Sequence, residues 1–182
     1  RQLSQEALRY YAAGDFDKAL QVWNAALTKD PDSYKIHYNL GLGYFALQKY
    51  ELSIKAFTNA LEKKNDFAPA LVNRALARIQ AGQASRADAD LEEAAELAPG
   101  DPLVMFNRGL LAARQGQCRR AIAHYTAAIE IEPRMAAAWN NRGICRIETG
   151  TYRKAIQDLT RAIKIRGDQA SYYFNRAIAW EE

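Results

Sequence analysis

Histidine and cysteine are scarce, with two of each in 182 residues. Two cysteines make no disulfide framework. No spacing of His, Cys, Asp or Glu resembles a metal site, and no glycine-rich phosphate loop is present in the sequence. His37 and His124 sit at unmatched positions, and Cys118 and Cys145 sit where small or apolar residues pack, so the thiols read as buried and inert. No catalytic set is visible, which reads as a chain that is not an enzyme and takes no cofactor or metal. Proline (5) and glycine (10) are few, which argues against a disordered or collagen-like chain. No apolar run reaches the length of a membrane-spanning helix. Residues 1–15 carry no signal-peptide pattern, although the start at Arg1 leaves room for a leader already removed. The net charge of +4 is too small to dictate a nucleic-acid partner. Reduced thiols fit a cell interior, and the compartment is otherwise open.

What is present is a period. Ala7, Gly41, Ala75, Gly109, Gly143 and Ala177 stand 34 residues apart. The same step relates Ala19, Ser53, Ala87, Ala121 and Ala155, and again Ala26, Ala60, Ala94, Ala128 and Ala162. Large residues keep it too: Trp23, Phe57, Leu91, Tyr125 and Leu159. No insertion breaks the register, and such a period signals a repeat architecture.

Each unit reads as two helices. In 136–169, the spacing predicts a first helix over 136–149, stopped by Gly150, and a second over 152–165. Ala155, Ile156, Leu159, Ala162 and Ile163 recur at helical spacing on the second. Gly143 is expected to face Ala155 and Ala162 and so permit close approach, with Tyr152 and Leu159 filling the remainder. A two-helix unit cannot bury its apolar face alone, so units must stack.

The pattern resembles the tetratricopeptide repeat (TPR) family. Its marks appear as Trp139, Gly143, Ala155, Leu159 and Ala162, as Met105, Gly109, Ala121, Tyr125, Ala128 and Pro133, and as Leu40, Gly41, Tyr44, Phe57 and Ala60. The resemblance implies an all-α fold, a right-handed α-solenoid of 34-residue helix-turn-helix units. The units are expected at 1–33, 34–67, 68–101, 102–135 and 136–169, with 170–182 as the first helix of a sixth, truncated unit. Both ends fall inside expected helices, and the expectation is that the native protein continues past residue 182.

In the family the first helices line a concave groove. The resemblance places Asn39, Asn73, Asn107, Asn141 and Asn175 there, with Tyr38, Leu42, Phe45, Leu76, Phe106 and Leu110. A row of amides can pair with successive peptide groups of an extended ligand, and an apolar stripe can take its anchoring side chains. Two structural alternatives stand beside this. The asparagines can instead bond to neighbouring helices, and the apolar stripe can serve packing between units. The family's two-carboxylate clamp for chaperone EEVD tails needs cations at groove positions held here by Tyr38, Leu42, Asn73, Leu103 and Asn107 in units two to four. In units three to five they are Val72, Leu76, Asn107, Ala137 and Asn141, and units one to three offer Ser4, Leu8 and Pro69. The cations are missing, so no such clamp is expected.

Where the family usually has leucine, four units carry Arg74, Arg108, Arg142 and Arg176. Two add a second arginine, Arg78 and Arg146, and those same units carry Asp90 and Asp158 on the second helix. Units one and two lack the arginine and have Val22 and Ala56 where the acid would stand. This pairing predicts structural ion pairs, Arg74/Arg78 with Asp90 and Arg142/Arg146 with Asp158. A nucleic-acid-binding arginine row is the lesser alternative, since the acids would neutralise it. Arg108 stands opposite His124, and Arg176 has no partner visible in the sequence.

The function expected is a protein–protein interaction scaffold or adaptor that binds a peptide, or an extended or helical segment of another protein. The alternatives are a self-associating structural scaffold, forming homo-oligomers through the open C-terminal end, and a regulatory arm of a larger enzyme.

Overall fold

The computed structural model describes residues 2–182, with side chains described from residue 5 onward. Arg1, where the first unit was expected to begin, and the Ser4 side chain lie outside the described residues. The described residues form eleven helices and no strands. In order they are α1 (Gln2–Ala12), α2 (Phe16–Leu27), α3 (Tyr34–Ala46), α4 (Tyr50–Lys63), α5 (Ala68–Gln80), α6 (Ala84–Leu97), α7 (Pro102–Arg114), α8 (Cys118–Ile131), α9 (Ala136–Glu148), α10 (Tyr152–Ile165) and α11 (Ala170–Glu181). They fall into two compact units, residues 1–97 and 98–182.

Within each unit every helix packs on its neighbours in sequence, and first helices also touch the next first helix, as α3 does α5, and α9 does both α7 and α11. The turns explain the short links. Gly14, Gly82, Gly116 and Gly150 hold φ between 71° and 81°, a region that favours glycine. The equivalent residue of the second repeat is Gln48, at φ 57°, so one turn carries the strain of a side chain in left-handed backbone. Asp101 caps α7 through a 2.8 Å bond from the Leu103 N–H to its carboxylate, and Pro102 pre-sets the first turn.

The core follows the period. Trp23, Phe57, Leu91, Tyr125 and Leu159 are all fully buried. The small residues on the first helices make room for three of them. A Cβ on Gly41 would stand 2.5 Å from the Phe57 ring, one on Gly109 2.6 Å from the Tyr125 ring, and one on Gly143 2.8 Å from Leu159. The atoms nearest an added Cβ on Gly143 all belong to Leu159, which was expected to fill the space between the helices, and Ala155 and Ala162 on the same helix are fully buried beside it.

Candidate functional site

In the N-terminal unit, the first helices α3 and α5 carry Tyr38, Asn39, Leu42, Phe45, Asn73 and Leu76, all half-buried. The Tyr38 ring packs against Phe57 and Phe67, at 5.6 and 5.1 Å between centroids. Its hydroxyl accepts a bond from Asn73 Nδ2 at 3.1 Å, and the same nitrogen donates to the Pro69 carbonyl at 2.8 Å. Asn73 therefore spends both amide hydrogens on holding α5 to α3 and on its own helix. Burial raises the Tyr38 phenol above its ordinary range.

In the C-terminal unit, Asn107 is buried and donates to the Leu103 carbonyl at 2.8 Å. Asn175 Nδ2 donates to Asn140 Oδ1 at 2.9 Å, and Asn140 Nδ2 to Asn141 Oδ1 at 3.1 Å. Asn141 in turn bonds the Tyr125 hydroxyl. The result is a relay of amides from α11 across α9 to α8. Asn140 was not among the expected site residues. The adjacent Asn140–Asn141 pair was the available signal, since a helix can turn one of two consecutive amides toward each neighbour.

Beside this relay lies a cleft of about 180 Å³. Leu110, Ala113 and Ile144 give it apolar walls, and Tyr125, Asn141, Cys145 and Glu148 complete it. Phe106 packs against Tyr125 with the rings tilted by 49°, 5.7 Å between centroids. On α11, Phe174 is 67% exposed and Trp180 70%.

The arginines lie deeper. Arg74 Nη2 is 2.7 Å from Asp90 Oδ1, and Arg78 Nη1 is 2.6 Å from Oδ2. Arg142 and Arg146 take the same two positions on Asp158, at 2.8 and 2.7 Å. Burial lowers the Arg78 and Arg146 guanidinium pKa values, while the facing aspartates oppose the shift. Sequence reasoning missed a third participant. Arg74 Nη1 donates to Thr58 on α4 at 3.2 Å, and Arg142 Nη1 to Thr126 on α8 at 2.9 Å, so each arginine ties three helices together. Arg176 has partners after all: Thr160 Oγ1 at 3.5 Å and the Tyr173 ring at 5.7 Å. Thr58, Thr126 and Thr160 share a repeat position, which was the signal available. Arg108 keeps its Nε buried without an acceptor.

His37 is buried, with Nε2 3.1 Å from the Pro31 carbonyl. No group of three or more His, Cys, Asp or Glu among the described residues is arranged to hold a metal ion, and none of the described helices is long and apolar enough to cross a membrane.

Comparison with known proteins places this architecture. DnaJ homolog subfamily C member 3 of Rattus norvegicus is 28% identical over 90 residues, which is 50% of this chain and 18% of that protein. The Homo sapiens protein is 27% identical over the same shares. The match thus spans less than a fifth of those relatives. Among solved structures, the Cut9–Hcn1 hetero-tetramer of APC/C superposes with a TM-score of 0.88 at 19% identity, covering 98% of this chain and 36% of that one. TTC0263 of Thermus thermophilus gives 0.82 at 17%, covering 100% and 98%. YrrB, described as a TPR protein with an unusual peptide-binding site, gives 0.69 at 22%, covering 98% and 89%. At these identities the superpositions establish an all-α TPR solenoid fold. A tetratricopeptide repeat family model matches residues 39–102, 72–117 and 106–179, and a second TPR model matches residues 7–47. The chain belongs to the tetratricopeptide repeat family.

Proposed function

We propose that the chain is a protein–protein interaction scaffold or adaptor, and that a peptide, or an extended or helical segment of another protein, lies against its first helices. The observation that carries this reading is the cleft at Leu110, Ala113 and Ile144, whose apolar walls remain half-buried after the helices have packed. One aliphatic ligand side chain buried there would contribute about 1.5–3 kcal/mol, enough to make it the anchor of a small interface. Tyr125, Asn141 and Glu148 add polar atoms at its lining for the ligand backbone. Tyr38, Leu42, Phe45 and Leu76 offer a second apolar surface in the N-terminal unit, and Phe106 extends the first.

In this reading the asparagines have a divided task. Asn73, Asn107, Asn140 and Asn175 use amide hydrogens on neighbouring helices or on their own. They hold the first helices in register, and apolar side chains carry most of the affinity. What Asn39, Asn73, Asn141 and Asn175 offer a ligand is chiefly the capacity left over, since all four are half-buried. The repeats are read as 1–33, 34–67, 68–101, 102–135 and 136–169, with 170–182 opening a sixth. Arg74 and Arg142 are engaged by buried aspartates, which argues against an arginine row for nucleic acid. Binding rather than catalysis is the role these residues support.

A second reading rests on α11. Phe174 and Trp180, both largely exposed, suit a contact between copies of the chain.

The test is a peptide selection against the purified chain, followed by anisotropy titration of the selected peptides. Ile144→Glu should abolish binding while the helical circular dichroism and melting stay near wild type. Unchanged affinity in that variant would remove the cleft from the site. Sedimentation of wild type and Trp180→Ala over a range of concentrations decides the second reading. It requires a mass that rises with concentration in wild type alone.

A further inference from the structure

The two cysteines, 27 residues apart in the chain, stand face to face: Cys118 Sγ and Cys145 Sγ are 3.0 Å apart. Cys118 is the first residue of α8 and Cys145 lies within α9. Both are free thiols. We propose that they form a reversible disulfide, an oxidative modification site that staples α8 to α9. This inference stands apart from the peptide-binding reading.

Access is asymmetric. Cys118, 7% exposed, borders an open cleft of about 470 Å³, which Arg119, Arg120 and Glu148 also line, whereas Cys145 is 3% exposed and borders only the smaller cleft of about 180 Å³. The co-reactant is a low-molecular-weight disulfide, and the two arginines favour an anionic one. Glu148 Oε2 already accepts the Cys118 S–H at 2.9 Å. The Cys118 proton leaves by way of that carboxylate to hydroxide in the solvent, and the thiolate attacks one sulfur of the incoming disulfide. One small thiolate departs and takes up a proton, leaving a mixed disulfide on Cys118. Cys145 then loses its proton and attacks the Cys118 sulfur from its adjacent position. The protein disulfide forms and the second small thiol leaves, so two protein thiols are oxidised and one small disulfide is reduced.

The surroundings set the rate. Burial, and next the neighbouring Cys145 and Glu148, push the Cys118 thiol above its ordinary range, and burial does the same to Cys145. Thiolate is scarce at neutral pH, so exchange is slow there and should accelerate about tenfold per pH unit between roughly pH 7 and 9.

The experiment incubates the native full chain with oxidised glutathione at about pH 8, then maps peptides without reduction by mass spectrometry. The expected product is a linked Cys118–Cys145 peptide that dithiothreitol reverses, with a melting temperature raised by roughly 5 °C. Cys145→Ser should stop at glutathione on Cys118. Cys118→Ser should leave Cys145 unmodified. Free thiols in folded wild type, glutathione retained on Cys118 in wild type, or a link that appears only after denaturant is added would each overturn the proposal.

Discussion

Arg142 and Asp158 meet through two parallel bonds, Nε to Oδ2 at 2.9 Å and Nη2 to Oδ1 at 2.8 Å. Asp158 is 1% exposed and Arg142 7%, so this is an ion pair almost out of water. The Arg142 guanidinium also lies 4.7 Å from the Trp139 ring centroid and donates to Thr126. A buried pair contributes little relative to well-packed apolar residues, but removing one partner strands the other charge. Asp158→Ala should therefore cost about 3–5 kcal/mol, read by urea unfolding. Asp158→Leu combined with Arg142→Met should recover much of that loss. The Arg146 side chain, which shares Asp158, limits the recovery. Adding Arg146→Met removes that remaining charge, and a triple variant as unstable as Asp158→Ala would show that the ion pairs themselves, rather than a stranded arginine, support the fold.

Gly109 meets a different constraint. An added Cβ would stand 2.6 Å from the Tyr125 ring, and Tyr125 is 1% exposed with no room to withdraw. Helix propensity favours Gly109→Ala by about 1 kcal/mol, but forcing the ring aside costs about 1–3 kcal/mol. The clash should win, giving a net loss of stability in thermal unfolding. Gly100, where an added Cβ meets nothing within 4 Å, is the matched control: Gly100→Ala should change melting little.

These two cases separate what was legible in the sequence from what was not. The period is legible because close helix approach demands a small residue at the same place in every unit, as at Gly41, Gly109 and Gly143. The pairing on Asp158 is legible because the second arginine, Arg78 or Arg146, and the acid appear and vanish together between units. Thr126 was hidden because it belongs to the preceding repeat and pairs with nothing by charge. The thiol pair was hidden for a related reason: Cys118 and Cys145 occupy different positions of two successive repeats, so no register aligns them. The asparagine row was legible as a row, but its hydrogen-bond partners were not. A position on a helix fixes the direction of a side chain and leaves its partner to the neighbouring helix, as Tyr38 is for Asn73.

Asn140 sits at the centre of the amide relay, accepting from Asn175 and donating to Asn141. Asn140→Ala removes two bonds at once and leaves Asn175 without that acceptor. The expected loss is about 1–3 kcal/mol, measured by denaturant unfolding. Asn107→Ala should cost less, about 1 kcal/mol, because Asn107 Nδ2 only adds a bond to a carbonyl of its own helix. A double-mutant cycle between Asn140 and Asn175 should return a coupling of about 0.5–1.5 kcal/mol. A coupling near zero would mean the two amides do not meet in solution.

Tyr125 makes a prediction in alkali. Its phenol pKa is raised above the ordinary value, chiefly by burial, although the bond from Asn141 works the other way. In the unfolded chain a tyrosine ionises near pH 10. Above that pH the unfolded state binds fewer protons than the folded one, so stability must fall as pH rises. The contribution is fully present below about pH 10 and is lost progressively from there toward the folded pKa, at up to about 1.4 kcal/mol per pH unit. Tyr125→Phe should flatten this alkaline limb relative to wild type, at the expense of the hydroxyl's bond to Asn141 at every pH. The measurement is urea unfolding of both proteins at intervals between roughly pH 8 and 11. Parallel limbs would mean that the Tyr125 hydroxyl reaches water in the folded protein, which would also open the Leu110–Ile144 cleft wider than its packing indicates.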